Sequence, residues 1–135
     1  MCIRDSVLGD FNAFEFSDGY VDVIGQITGE AVEADNLLWA APLFAASPLT
    51  QAVQTLPTDQ QYSFIFGGSA QVLDNAIMND AGLMSLVEMQ FVRGQADAGL
   101  DFEVDDTTSL RSTDHDGFVL YILTDNDLIF KNGFE

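Results

Sequence analysis

Six consecutive apolar residues, Phe118-Val119-Leu120-Tyr121-Ile122-Leu123, constrain this chain more than any other feature. The run is rich in β-branched and aromatic side chains and places no polar residue toward solvent. It predicts a strand buried on both faces. A chain carrying such a strand has to build a sheet and cover it, so a packed core is expected. Composition agrees: with 47% hydrophobic and 11% aromatic residues, the chain is not the disordered acidic tail that a net charge of −18 would otherwise suggest. A length of 135 residues has one domain as its prior. The 22 acidic side chains face only four basic ones. That imbalance argues against passive binding to nucleic acid or an anionic membrane, because both need Lys and Arg to displace counterions. A polyanionic substrate would have to be met through a metal ion. No apolar run reaches the length of a membrane-spanning helix.

Residues 1–6, Met1-Cys2-Ile3-Arg4-Asp5-Ser6, lack the apolar stretch of a signal peptide and look like a translated adapter sequence. They are read as a non-native leader, abutting a strand that begins abruptly at Val7. The single cysteine, Cys2, lies in that leader and cannot form an internal disulfide. Val7-Leu8-Gly9 reads as the end of a buried strand, and the stretch from Tyr20 to Ile27 as a short helix. Between Glu30 and Gln61, apolar clusters punctuated by Pro42, Pro48 and Pro57 predict short helical turns. One helix is expected over Leu49–Leu56, with Thr50, Gln51 and Gln54 on its wet side. Tyr62–Phe66 alternates and leads through Gly67-Gly68 into Ala70–Met78, the pattern of a hairpin. In the second half of Leu83–Val92, Val87, Met89 and Phe91 alternate with Glu88 and Gln90, which favours a strand. Gly94 to Leu110 reads as an acidic loop and Asp125 to Glu135 as a tail.

Several features have a bland and a functional reading. The cluster around Trp39 reads as core rather than a stacking platform. Asp125-Asn126-Asp127 starts like a calcium loop but lacks the glycine and distal Glu of an EF-hand, so a solvated turn is expected. Asp101, Glu103, Asp105 and Asp106 read as a solvated loop before they read as a calcium site. Arg93 and Arg111 are the best candidates for touching a nucleic-acid backbone, with ion pairs to nearby acids as the alternative.

Three segments set small or acidic polar residues beside an apolar strand: Val7-Leu8-Gly9-Asp10-Phe11-Asn12, Val72-Leu73-Asp74-Asn75 and Ser112-Thr113-Asp114-His115-Asp116. Carboxylates converging at strand ends suit a hard divalent cation, and an imidazole beside them adds a phosphate contact or a proton donor. Each segment alone is more often structural. Together, Gly9-Asp10-Phe11-Asn12, the Tyr62–Phe66 and Gln71-Val72-Leu73-Asp74 hairpin, and Leu110-Arg111-Ser112-Thr113-Asp114-His115-Asp116 resemble the endonuclease/exonuclease/phosphatase superfamily, in particular its bacterial extracellular nuclease branch. The resemblance runs from about Val7 to about Thr124.

The resemblance implies an α/β fold, a two-sheet αββα sandwich of the deoxyribonuclease-like type, of which residues 7–124 form the C-terminal, mainly one-sheet portion. It implies metal-dependent phosphodiester hydrolysis by a secreted bacterial nuclease, with DNA or RNA as substrate partner, no membrane partner, and Mg²⁺ or Mn²⁺, or else Ca²⁺, as cofactor. By position, Asp10 would orient or activate the attacking water and share the metal. Asn12 would hold a phosphate oxygen. Asp74 would pair with the catalytic His115 and fix its tautomer. Asp114 would ligate the metal. Asn75 stands where many relatives carry His or Arg, and Gly117 where many carry Pro. The family's upstream metal-binding Glu, an Asn and a further His have no counterpart in these residues. The expectation is therefore a missing N-terminal half of the same domain, an inactive isolated chain, and a sheet whose uncovered apolar face is exposed or associates. The alternative from another class is a non-catalytic acidic module of a secreted protein that binds calcium or a partner.

Overall fold

A computed structural model describes residues 3–14, 21–31 and 49–124. The expectations for Trp39 and for the tail from Asp125 to Glu135 concern residues outside these. The architecture is small and mixed α/β, mostly strands in three small antiparallel sheets with a few short helices. Strand β1 (Ser6–Asp10) is followed by helix α1 (Val23–Thr28), the short strand β2 (Thr50–Gln51) and 3₁₀ turns at Ala52–Thr55 and Thr58–Gln60. Then come β3 (Phe64–Phe66), β4 (Ser69–Gln71), β5 (Asp74–Met78), α2 (Asp80–Leu83), β6 (Leu86–Phe91), a 3₁₀ turn at Leu100–Val104 and β7 (Phe118–Ile122).

The centre of the packing is β5, which lies between β1 and β2 and pairs antiparallel with both. Successive side chains of a strand point to opposite faces, and on β5 both faces are apolar. Ala76 and Met78 enter a cluster with Ala52, Val53, Val72, Met89 and Phe91, closed by Leu56, Leu86, Phe118 and Leu120. Ile77 enters a second cluster with Ala13 and Ile24, flanked by Phe11, Val23, Ile27 and Leu49. The one polar side chain buried along β5, Asn75, accepts a 2.8 Å hydrogen bond from Gln51 Nε2 and so is satisfied in the core.

Local chemistry explains the shorter elements. Helix α1 has six residues, too few to persist alone, and is held by its caps and by Ile24. The Asp22 carboxylate accepts from the Gly25 amide at its start, and Gly29 adopts the left-handed conformation at its end (φ 86°). In the β3–β4 hairpin both turn residues, Gly67 and Gly68, have positive φ, the type that matches strand twist.

Six sequence expectations are corrected. Strand β1 starts at Ser6 rather than Val7, and Asp5 continues its line by bonding Asn79 through both its amide and its carbonyl. Val7 and Leu8, expected to be buried, are 52% and 53% exposed, and among the described residues β1 is an edge strand paired with β5 alone. Ala70–Met78 is two strands, since the chain leaves the hairpin at Val72-Leu73 to join another sheet. Leu49–Leu56 is a strand bridge followed by a 3₁₀ turn, and Gln51, expected on the wet side, is buried because it bonds Asn75. Finally, β7 is not buried on both faces. Among the described residues its only partner is β6; Phe118 and Leu120 pack inward while Val119 and Tyr121 face outward. The register irregularity between Leu86 and Glu88 likewise leaves Val87 exposed, against the simple alternation.

These positions separate experimentally. Ile77→Ala should lower stability by about 2–5 kcal/mol, whereas Leu8→Ala should change it by no more than about 0.5 kcal/mol, as read from urea denaturation midpoints.

Candidate active site

The register of β1 on β5 sets Asp10 directly opposite Asp74. Side chains so placed have Cβ atoms about 4.5–5.5 Å apart, and like charges there repel. His115 reaches the same point from the segment ahead of β7, with Nδ1 2.7 Å from Asp74 Oδ2. An ionised carboxylate only accepts, so the imidazole donates from Nδ1 and Nε2 is left for another partner. Ligand atoms of Asp10, Asp74 and His115 all lie within 4.8 Å of one another. Two carboxylates and an imidazole at that separation suit a divalent cation with water completing its shell.

Backbone geometry accounts for the sequence around Asp10. Gly9 has φ +145°, which side chains rarely adopt. The Asp10 carboxylate accepts the Asn12 amide at 2.7 Å, closing a small turn in which Asn12 takes the left-handed conformation (φ 47°) that Asn tolerates best. The Phe11 amide donates to the Leu73 carbonyl at 2.9 Å and ties this turn to the start of β5. Asp10 and Asn12 thereby sit exposed at the sheet end, beside Asp74.

His115 belongs to an irregular segment, where its backbone forms an isolated bridge to Phe64 and its amide donates to the Thr113 hydroxyl at 3.4 Å. The next residue anchors it. Asp116 is fully buried, with Oδ1 accepting the amides of Gln95 and Ala96 at 3.0 Å each and Oδ2 accepting from Arg93 Nη1 at 2.9 Å. Arg93 also donates to the carbonyls of Tyr62 and Gln60, and its guanidinium lies 3.6 Å from the Tyr62 ring centroid. Arg111 has φ 51° and donates from Nη1 to the carbonyls of Gln95, Ala96 and Ala98. Both arginines are therefore bonded within the protein: Arg93 takes the alternative reading of an ion pair with a nearby acid, and Arg111 bonds backbone carbonyls. The brace made by Asp116 and Arg93 is absent from the sequence-based site. Asp116 stands in the Ser112–Asp116 segment singled out above, two residues ahead of the apolar strand, but nothing local to it points to Arg93.

The remaining acids fall elsewhere. Asp114 is exposed, stands outside the Asp10–Asp74–His115 group and lines a neighbouring cleft with Phe64, Phe66 and Arg111. In the acidic loop, the Thr107 hydroxyl and amide donate to Asp105 and lower its carboxyl below the ordinary value, while Asp101, Glu103 and Asp106 are exposed. No ligand-like grouping forms there among the described residues.

Comparison with protein-family models, curated proteins and solved structures finds no significant match to this chain.

Two outcomes test this geometry. Asp10→Asn keeps the acceptor for the Asn12 amide and removes the repulsion, so at low salt and without divalent ions it should stabilise the fold by about 0.2–1 kcal/mol. Asp116→Ala should instead cost about 3 kcal/mol or more in chemical denaturation, since it strips Arg93 of its carboxylate and leaves a buried and a part-buried amide without their acceptor.

Proposed function

We propose that this chain carries part of the active site of a metal-dependent phosphodiester hydrolase acting on nucleic acid, with DNA as the first substrate to test. The observation that carries the reading is the placement of Asp10 across from Asp74 with His115 on Asp74 Oδ2, at a sheet end where Asp10 is exposed. Like charges placed directly opposite are costly to stability, a cost that functional sites often carry. In the family that the motifs resemble, this arrangement belongs to a deoxyribonuclease-like αββα sandwich, and the three small sheets described here would be part of one.

The donor chemistry fits a hard divalent ion held by Asp10 and Asp74. When bound, such an ion supplies charge neutralisation at the phosphate and lowers the pKa of water. The chain's own residues have separate tasks. Asp10 orients the attacking water and takes its proton as the phosphorus–oxygen ester bond breaks. Asn12, exposed beside it, donates to a non-bridging phosphate oxygen. Asp74 holds the imidazole of His115 in one tautomer, so that the opposite nitrogen faces the phosphate or the leaving oxygen.

The test uses protein carrying this chain together with the sequence upstream of Val7, where the resemblance puts further site residues. Cleavage of DNA is expected with Mg²⁺ or Mn²⁺ and should fall at least about 100-fold in both Asp10→Ala and His115→Ala. Near-normal rates in both variants would overturn the proposal. A tight Ca²⁺ site indifferent to Asp10→Asn and Asp74→Asn, with no phosphodiester cleaved, would favour the acidic binding module.

A further inference from the structure

We propose that Ser63 is the positioning residue that sets the Asp74–His115 pair, and the proposal rests on the reading of that pair as catalytic. Ser63 is fully buried. Its hydroxyl oxygen accepts the amides of both Leu73 and Asp74, at 3.0 Å each, which occupies both of its lone pairs. Its carbonyl accepts the Asp116 amide at 2.7 Å, and its amide donates to the Gln71 carbonyl at 2.9 Å. One residue is thus bonded to the backbone of Asp74 and to the backbone immediately after His115.

The need for this node follows from the fold. Between β4 and β5 the chain passes from one sheet to another at Val72-Leu73, where strand pairing lapses. Among the described residues, the Leu73 and Asp74 amides have no strand partner for their N–H groups at this crossing. The Ser63 hydroxyl takes both, and so fixes where the first residue of β5 begins. On the other side, His115 sits on a segment with no regular structure, held through the Asp116 amide on Ser63 and through the Phe64 ring, whose centroid lies 4.8 Å from that of the imidazole. Two segments 41 residues apart therefore meet at 2.7 Å through a shared anchor. Ser63 touches no substrate in this scheme. It acts by holding the carboxylate and the imidazole in register, and the Arg93–Asp116 brace stiffens the same junction from behind.

The single histidine of the chain makes the test unambiguous. In long-range proton–nitrogen NMR of the neutral imidazole, wild-type protein should show the tautomer protonated at Nδ1, and Asp74→Asn should weaken that preference. Ser63→Ala should shift His115 toward the tautomer protonated at Nε2 while the dispersed methyl spectrum of the folded protein persists. Thr28→Ala, which removes a buried hydroxyl bond within α1, should leave His115 unchanged and so accounts for general destabilisation. If Ser63→Ala does not fold, Ser63→Cys keeps the volume with a much weaker acceptor and should give the same shift. In the hydrolysis assay, kcat should fall about 10- to 100-fold with KM little altered. An unchanged His115 tautomer in the folded Ser63 variant overturns the proposal. Absence of hydrolysis in wild-type protein that carries the upstream sequence, with the tautomer shift still present, would instead overturn the catalytic reading and leave Ser63's control of the pair in place.

Discussion

Antiparallel pairing of Asp74–Met78 with strands on both of its edges is the interaction on which the rest of this molecule depends. Because Ala76 and Met78 feed one apolar cluster and Ile77 the other, this single strand joins the two halves of the core. Its register also determines the site. With Ile77 opposite Val7, alternation along the ladder brings Asp74 opposite Asp10 three residues later, so packing energy is what forces two carboxylates together. A slip of one residue would turn Ile77 out of its cluster, and the cost of that exposure exceeds the modest repulsion at the strand ends.

Around this conflict the structure is stiff where it is buried and open where chemistry is proposed. Asp116 and Ser63 are fully enclosed and have their polar atoms bonded, while Asp10 and Asn12 face solvent. The brace is an ion pair with one member buried and the other part-exposed, supplemented by carbonyls and an aromatic face, a setting in which the charge of Arg93 is well compensated. The side chains of Asp74 and His115 lie between these extremes, 14% and 21% exposed. Partial burial shields their hydrogen bond from competing water yet leaves access from outside.

Legibility in the sequence divided along physical lines. The hairpin of Phe64–Phe66 and Ser69–Gln71 was readable because Gly67-Gly68 is the turn chemistry that such hairpins require. The short helix after Tyr20 was readable in kind though not in extent, and β6 in its second half. Misreadings came where a neighbour decided the outcome. Gln51 was assigned to solvent because nothing in its own segment reveals Asn75, which lies 24 residues away. The apolar run Phe118–Leu123 reads as a two-faced interior strand, but with β6 as its one partner among the described residues it covers the core with a single face.

By itself, the sequence determined local geometry and chemical type: which residues could turn, which could pair, and that Asp10, Asp74 and His115 carry the donors a cation or a phosphate would need. Those properties reside in single residues and short spacings. Only the tertiary structure decided that these three converge while Asp114 stands apart, that Arg93 and Arg111 bond the protein's own backbone, and that Ser63 and Asp116 hold the junction. Convergence depends on strand register and on hydrogen bonds between segments tens of residues apart, and no local pattern encodes such distances.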